Sequence, residues 1–307
     1  MTDSRLPATL KLPAPAKLNR MLHIIGRRAD GYHELQTLFQ FVDLSDSITL
    51  TSRQDSKLQL DNALDGVADD DNLALRAARL LKSRVPAAAG CGAGIHIDKH
   101  LPQGGGLGGG SSNAATVLVG LNSLWQLGLS PAKLTALGLT LGADVPVFVK
   151  GHSAWAEGVG EKLTPVTLDI PWFVIVHPGV SVSTPGVFGD PQLTRHTPRI
   201  SMARALQGGA TAWRNDCEAV VKAQYPPIAR ALSFLARFAP VRLTGTGACV
   251  FAAFEGTPRG RQEAGRVARM AGQYGAVWIA QGRNVSPLHD APGGQTPPVN
   301  AGSSFGV

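Results

Sequence analysis

Residues Gly104–Asn113 read GGGLGGGSSN, and six of the first seven are glycine. An ordered glycine loses roughly 0.5–1 kcal/mol more backbone entropy than alanine, so a run this dense needs a physical reason. The strand-like GIHIDK (Gly94–Lys99) precedes it. After it, Ala114, Val117, Leu118, Leu121, Leu124 and Trp125 recur at helical spacing, with Gly128 as the stop. Strand, glycine loop and helix in that order make a phosphate cradle. Without Cβ atoms, backbone N–H groups can converge on an anion. The helix N-terminus adds unpaired donors and the positive end of its dipole. Ser111 and Ser112 either cap this helix or donate to phosphate oxygens. A flexible linker would not lie between two segments patterned for a core.

Three familiar phosphate motifs do not fit. Walker A requires G-x-x-x-x-G-K-[ST], and the chain has no Gly-Lys dipeptide. The dinucleotide fingerprint G-x-G-x-x-G occurs as Gly104, Gly106 and Gly109, but so many glycines make that match nearly automatic. It also wants an acid about 20 residues on to hold the ribose, and Lys99–Ala143 contains no Asp or Glu. A protein-kinase loop needs a V-A-I-K strand and an H-R-D loop, and neither is present.

The 307 residues are 44% hydrophobic, enough to bury two domain cores. The net charge of +7 is spread thinly, in clusters no larger than Arg27-Arg28, and aromatics are 6%. This favours a phosphorylated small molecule over nucleic acid as the anionic partner. Cys91, Cys217 and Cys249 are odd in number and show no C-x-x-C spacing. They read as small buried hydrophobes, with no disulfide or zinc site expected. No metal-ligand cluster is legible. The segment MTDSRLPATLKLPAPAK lacks the apolar stretch of a signal peptide, and no run approaches a membrane span. The expectation is a cytoplasmic protein with no membrane or nucleic-acid partner. Nothing in the sequence speaks to oligomeric state.

Residues 1–12 read as a loose lead-in. Thr37–Leu50 alternates as a strand, and Asp71–Arg84 is a helix capped by Asp71 or Asn72. Ser130-Pro131 opens another helix that closes at Gly142. Trp172–Val180 is a buried strand. Helices are expected near 200–209, 214–224, 226–238 and 260–272, with Arg242–Phe254 strand-like between the last two. Pro165 and Pro171 flank a domain junction. The expected division is an N-terminal domain over 1–167, a C-terminal domain over 168–288 and a disordered tail over 289–307. From Pro287 onward, eight of 21 residues are Pro or Gly, too little apolar content to order a chain.

LPQGGGLGGGSSNAA (Leu101–Ala115) resembles the second motif of the GHMP kinases, the superfamily of galactokinase and the homoserine, mevalonate and phosphomevalonate kinases. PAPAKLN (Pro13–Asn19) and LTGTGACVFAAF (Leu243–Phe254) resemble its first and third motifs, in the expected order. GRRADGYHELQTLFQ (Gly26–Gln40), LTLGADVPVFVKGHSAWAEGVGE (Leu139–Glu161) and HPGVSVSTPGVF (His177–Phe188) are similar to one branch in particular. That branch phosphorylates the 2-hydroxyl of the methylerythritol unit of a cytidine-diphosphate sugar alcohol. The resemblance implies an α+β, two-domain fold with the active site in the cleft between the domains.

It also implies roles. Pro102, Gln103, Gly104, Gly105, Gly106, Leu107, Gly108, Gly109, Gly110, Ser111 and Ser112 would hold the phosphates of ATP, with Lys99 beside the nucleotide and Mg²⁺ accompanying it. Asp144 matches the catalytic base. Its place before Val145-Pro146 also suits a helix N-cap. Lys17 matches the active-site lysine, which would pair with Asp144 and help stabilise the transferring group. Asn19 would lie near the substrate hydroxyls. Tyr32 and Phe188 would stack on the two faces of the cytosine, His33 would hydrogen-bond its edge, and Thr184 would contact the ribose. Asn215-Asp216 reads as structural. Arg20-Met21 departs from the family pattern, which has apolar residues there. A kinase for another alcohol and a non-catalytic nucleotide-binding protein are the competing readings. The DGYH segment and the segment around Phe188 argue against the first, and the presence of both Lys17 and Asp144 against the second.

Overall fold

Two long strands organise the chain. β1 (Thr9–Arg27) and β2 (His33–Arg53) pair antiparallel over nearly their whole length, joined by a turn at Asp30-Gly31. Their middle residues are buried on both faces, and polar side chains such as Lys17, Asn19, Arg20, Gln36 and Gln40 are buried among the apolar ones. Register shifts at Pro15/Lys17, Asn19/Met21 and Ile24/Gly26 re-aim successive side chains. The computed structural model describes residues 8–291 and 294.

The first half continues with β3 (Leu58–Leu60), α1 (Leu73–Arg84), β4 (Gly92–Asp98), α2 (Gly109–Leu124), α3 (Pro131–Leu139) and α4 (Val145–Lys150). The hairpin β5 (Ala154–Gly158) and β6 (Lys162–Pro165) closes it. The second half holds β7 (Trp172–His177), α5 (Thr184–Gly189), α6 (Met202–Ala212), α7 (Glu218–Gln224), α8 (Pro226–Leu235), β8 (Val241–Leu243), β9 (Val250–Phe254), α9 (Pro258–Ala271), β10 (Ala276–Arg283) and α10 (Pro287–Asp290).

The strands run β3-β4-β2-β10-β7-β9-β8, with β1 and β5 also on β2. Among the described residues, the two halves of the sheet pair where Gly282 faces Val42 and Arg283 faces Phe41. Each half has its own core. One packs α1, α2, α3 and α4 against β1, β2, β4 and β5. The other packs α7, α8 and α9 against β7, β8 and β9, with Leu22 and Ile24 of β1 reaching into it. A third cluster, including Ala16, Leu18, Leu107, Phe173 and Cys249, fills the seam. This is the expected α+β fold in two lobes. No helix among the described residues is long and apolar enough to cross a membrane.

Several elements differ from the sequence reading. Residues 9–12 belong to β1, because Leu12 is buried and the segment pairs with Ile48–Thr51. β10 has no counterpart in that reading. Ala276 and Ile279 are exposed, Val277 and Trp278 half-buried, and only from Ala280 on are any residues buried, a weak signal for a strand. Arg242–Phe254 breaks into β8 and β9 around a turn. α2 begins inside the glycine run at Gly109 and ends at Leu124, before Gly128. The helix opened by Ser130 ends at Leu139. Asn72, rather than Asp71, caps α1 by accepting from the Ala74 N–H at 2.9 Å.

Arg20, which broke the apolar pattern, is fully buried. Its guanidinium donates to Gln40 Oε1 and to Asp169 at 3.2 Å. It lies 5.2 Å from the Phe173 ring centroid and 4.8 Å from that of Trp213. Burial lowers its pKa, and Asp169 opposes that shift. Asp169 precedes β7, and Gln40 donates to its carbonyl at 2.6 Å. Arg20 therefore fixes the segment that joins the two lobes.

The expected tail also begins differently. Pro287–Asp290 forms the turn α10, with Leu288 fully buried in the first core. His289 sits over Gly151 at the C-terminus of α4. Residues 292–293 and 295–307 lie outside the described residues. Leu288→Ala is expected to cost about 2–5 kcal/mol in chemical denaturation. A loss below about 0.5 kcal/mol would mean that α10 is not part of the core.

Candidate active site

The glycine loop lies between two cavities. The first, about 810 Å³, is walled by β1, β2 and the Asp144 segment on one side and by α5 and Gly245-Thr246 on the other. The second, about 530 Å³, lies between the loop and the N-terminus of α1. Gly106, Gly108, Ser111 and Thr184 border both.

Gly104, Gly106 and Gly108 have φ of +64°, +74° and +74°. The alternating left-handed residues let the chain pass closely under the third glycine motif. Ala248 N–H donates to Gly104 O at 3.2 Å, and Cys249 N–H donates to Gly105 O at 3.0 Å. A Cβ on Gly106 would stand 2.2 Å from Thr244 O, and one on Gly108 would stand 2.8 Å from the Phe148 ring. Gly108 is the N-cap of α2 in a left-handed conformation, and the first N–H groups of a helix have no partner within it.

The expected nucleotide residues separate here. Lys99, Pro102, Gln103, the glycines, Leu107 and Ser111 border the second cavity. Ser112 does not. It lies within the helix rather than at its cap, fully buried, with its hydroxyl unpartnered. Lys99 is held by Asp46, whose carboxylate is fully buried and also accepts from the His100 and Leu101 N–H groups at 2.8 Å each. With its amide turned to suit its neighbours, Asn113 of α2 also donates to Asp46. Asp46 thus ties the start of the loop to the helix after it. Sequence reasoning missed it, although an acid inside a buried strand was a visible signal.

Lys17 is only 3% exposed. Its Nζ donates to Asn19 Oδ1 at 2.7 Å and Gly106 O at 3.2 Å, and it stands 3.2 Å from Asp144 Oδ2. The Phe39 ring lies beneath it at 5.3 Å. Asp144 occupies the N-cap position of α4, yet its side chain caps nothing. It pairs with Lys17 instead and remains 34% exposed to the first cavity. Asn19 Nδ2 donates to Thr37 Oγ1 at 2.9 Å, and its backbone N–H donates to Thr244 Oγ1 at 3.1 Å.

α4 is short and is held at both ends. The Phe148 ring packs beneath Gly108 and lies near the Lys17 stem. Behind it, Ser286 N–H donates to Gly151 O at 2.8 Å, and the His289 ring covers Gly151. Asn215 Nδ2 donates to Leu243 O and Gly245 O, and Asp216 Oδ2 accepts from Ile24 N–H and Thr197 Oγ1. These bonds brace the third glycine motif against β1, in keeping with a structural part for Asn215-Asp216.

The far end of the first cavity holds Tyr32, His33 and Phe188. Tyr32 is 64% exposed. His33 is buried, and its ring stacks on Phe188 at 4.9 Å and 25°. The Phe188 ring therefore already has a partner. Thr184 opens α5 and shares a 2.8 Å hydrogen bond with Thr246. No three His, Cys, Asp or Glu among the described residues group as a metal site.

Part of the glycine loop, the Lys17–Asp144 pair and the aromatic residues Tyr32, His33 and Phe188 line one cavity. Family models described as GHMP kinases N terminal domain and GHMP kinases C terminal match residues 72–152 and 200–277. A 4-diphosphocytidyl-2-C-methyl-D-erythritol kinase from Chromohalobacter salexigens is 59% identical over 289 residues, 92% of this chain and 94% of its own. One from Pseudomonas fluorescens is 54% identical over 280 residues, 91% and 96% of the two chains. A crystal structure of 4-(cytidine 5'-diphospho)-2C-methyl-D-erythritol kinase matches at TM-score 0.76 and 33% identity, covering 89% of this chain and 99% of its own. The chain belongs to the GHMP kinases and, within them, to the 4-diphosphocytidyl-2-C-methyl-D-erythritol kinase family.

The loop geometry gives a direct test. Gly106→Ala is expected to lower the unfolding free energy by about 2 kcal/mol or more. Gly128→Ala is equally left-handed, at φ +64°, but has open space around its Cβ. It should cost only about 1 kcal/mol. Equal losses in denaturant titrations would remove the Thr244 contact as the reason for Gly106.

Proposed function

We propose that the chain transfers the γ-phosphoryl group of ATP to the 2-hydroxyl of 4-diphosphocytidyl-2-C-methyl-D-erythritol. The observation that carries this reading is the 3.2 Å Lys17–Asp144 pair at the border of the first cavity, beside the glycine loop. ATP phosphates sit in the loop, received by backbone N–H groups and the N-terminus of α2. The sugar alcohol lies in the first cavity, with its hydroxyl at Asp144. The hydroxyl oxygen attacks the γ-phosphorus as its proton passes to the Asp144 carboxylate. The bond between the γ-phosphorus and the β–γ bridging oxygen breaks, and ADP leaves with that oxygen. Lys17 holds Asp144 in place and offers positive charge to the transferring group.

Asn19 and Thr37 orient the acceptor, and Thr184 faces the ribose. Tyr32, His33 and Phe188 receive the cytosine. Magnesium brought with ATP would neutralise phosphate charge. It takes hard oxygen ligands, so the Ser111 hydroxyl, phosphate oxygens and water are the donor set that fits. The proposed domains run over 1–167 and 168–288, except that α10 returns to the core of the first, and the nucleotide is held mainly by the first.

Coupled detection of ADP tests the substrate. Release is expected with 4-diphosphocytidyl-2-C-methyl-D-erythritol, and little with mevalonate, homoserine or galactose. Comparable turnover of mevalonate would sink the substrate assignment while leaving the kinase chemistry standing.

A further inference from the structure

The guanidinium of Arg195 meets four acceptors at the base end of the first cavity. Nε donates to His33 Nε2 at 3.1 Å, and Nη1 donates to Leu193 O at 3.1 Å. Nη2 donates to Phe188 O at 2.8 Å and Asp190 O at 2.6 Å. Arginine carries only donors and keeps its proton. His33 Nε2 must therefore supply a lone pair. Burial, then the charges of Arg195 and Arg27, lower the His33 pKa. The ring is thus neutral near pH 7, and its single proton sits on Nδ1. Nδ1 has no partner among the described residues. Unlike both nitrogens of His23, it is not sealed from solvent. The same guanidinium grips the carbonyl of Phe188, whose ring stacks on His33.

We infer that Arg195 is a positioning residue that fixes His33 as an Nδ1–H donor and so makes the cavity select cytosine over uracil. The inference rests on the cytidine reading above. Cytosine N3 is an acceptor, whereas uracil N3 carries a hydrogen. A fixed donor facing that edge gains a bond with cytosine. It meets a second donor in uracil, and a donor left unpaired in a buried site is costly. An acceptor at the same position would read the bases the other way. The tautomer therefore decides the preference, and Arg195 decides the tautomer.

Nitrogen-15 NMR of histidine-labelled full-length protein, with no substrate added, reads the tautomer. Wild type should show His33 protonated at Nδ1, and Arg195→Ala should move the proton toward Nε2. Kinetics then compare the cytidine- and uridine-diphosphate forms of the same sugar alcohol. Wild type should favour cytidine, and Arg195→Ala should lose roughly tenfold or more of that ratio, in KM rather than kcat. Arg195→Gln keeps an N–H donor and should retain part of the preference. A wild-type His33 protonated at Nε2 would overturn the inference. So would an unchanged cytidine-to-uridine ratio in Arg195→Ala, even with both KM values raised, since a purely structural role predicts that. If wild type turns over neither form, the cytidine reading itself fails, and base selection fails with it. The NMR result still reports the tautomer in that case.

Discussion

A lysine ammonium group with almost no water around it holds the candidate cleft together. Burying a charge is costly unless partners replace its hydration. Lys17 finds them in Asp144, Asn19 Oδ1, Gly106 O and the face of Phe39. These partners come from four separate parts of the chain: the N-cap of α4, β1 itself, the glycine loop and β2. Moving any of them leaves the ammonium group short of a partner. The glycine loop and the carboxylate are therefore held in one fixed relation before any ligand arrives, as the phosphoryl transfer proposed above would require.

Much of the remaining structure supports that relation from behind. Asp46 anchors the loop to α2, and Thr244 of the second lobe bonds both Gly106 O and the Asn19 backbone. Phe148 fills the space under Gly108, and the chain returns after β10 to close over Gly151. The buried Arg20 fixes the connecting segment at Asp169. The two lobes have separate cores, yet their contacts converge on β1, which contributes Lys17 and Asn19 to the site and Leu22 and Ile24 to the second core.

The glycine loop was legible because its signature is local: glycines, a strand before them and an amphipathic helix after. Lys17 and Asp144 were legible only through resemblance, because 127 positions separate them and no spacing rule links them. Asp46, Phe148, Thr244 and Arg195 went unread for a related reason. Each acts through a neighbour rather than on a ligand, and its partner is distant in sequence. Ser112 shows the opposite error. Two adjacent serines looked equivalent, but α2 starts at Gly109, and its rotation turns one toward the cavities and the other into the core. Leu288 lay in a segment whose average composition hid a single anchoring residue.

The central claim is that Lys17 and Asp144 act as one unit. A double-mutant cycle on kcat/KM, using Lys17→Met, Asp144→Asn and the pair together, measures this directly. Each single substitution should lower kcat/KM by about 10²-fold or more, and the double should lie within about tenfold of the worse single. Losses that multiply, so that the double falls by the product of the singles, would show that the two residues work independently and contradict the account.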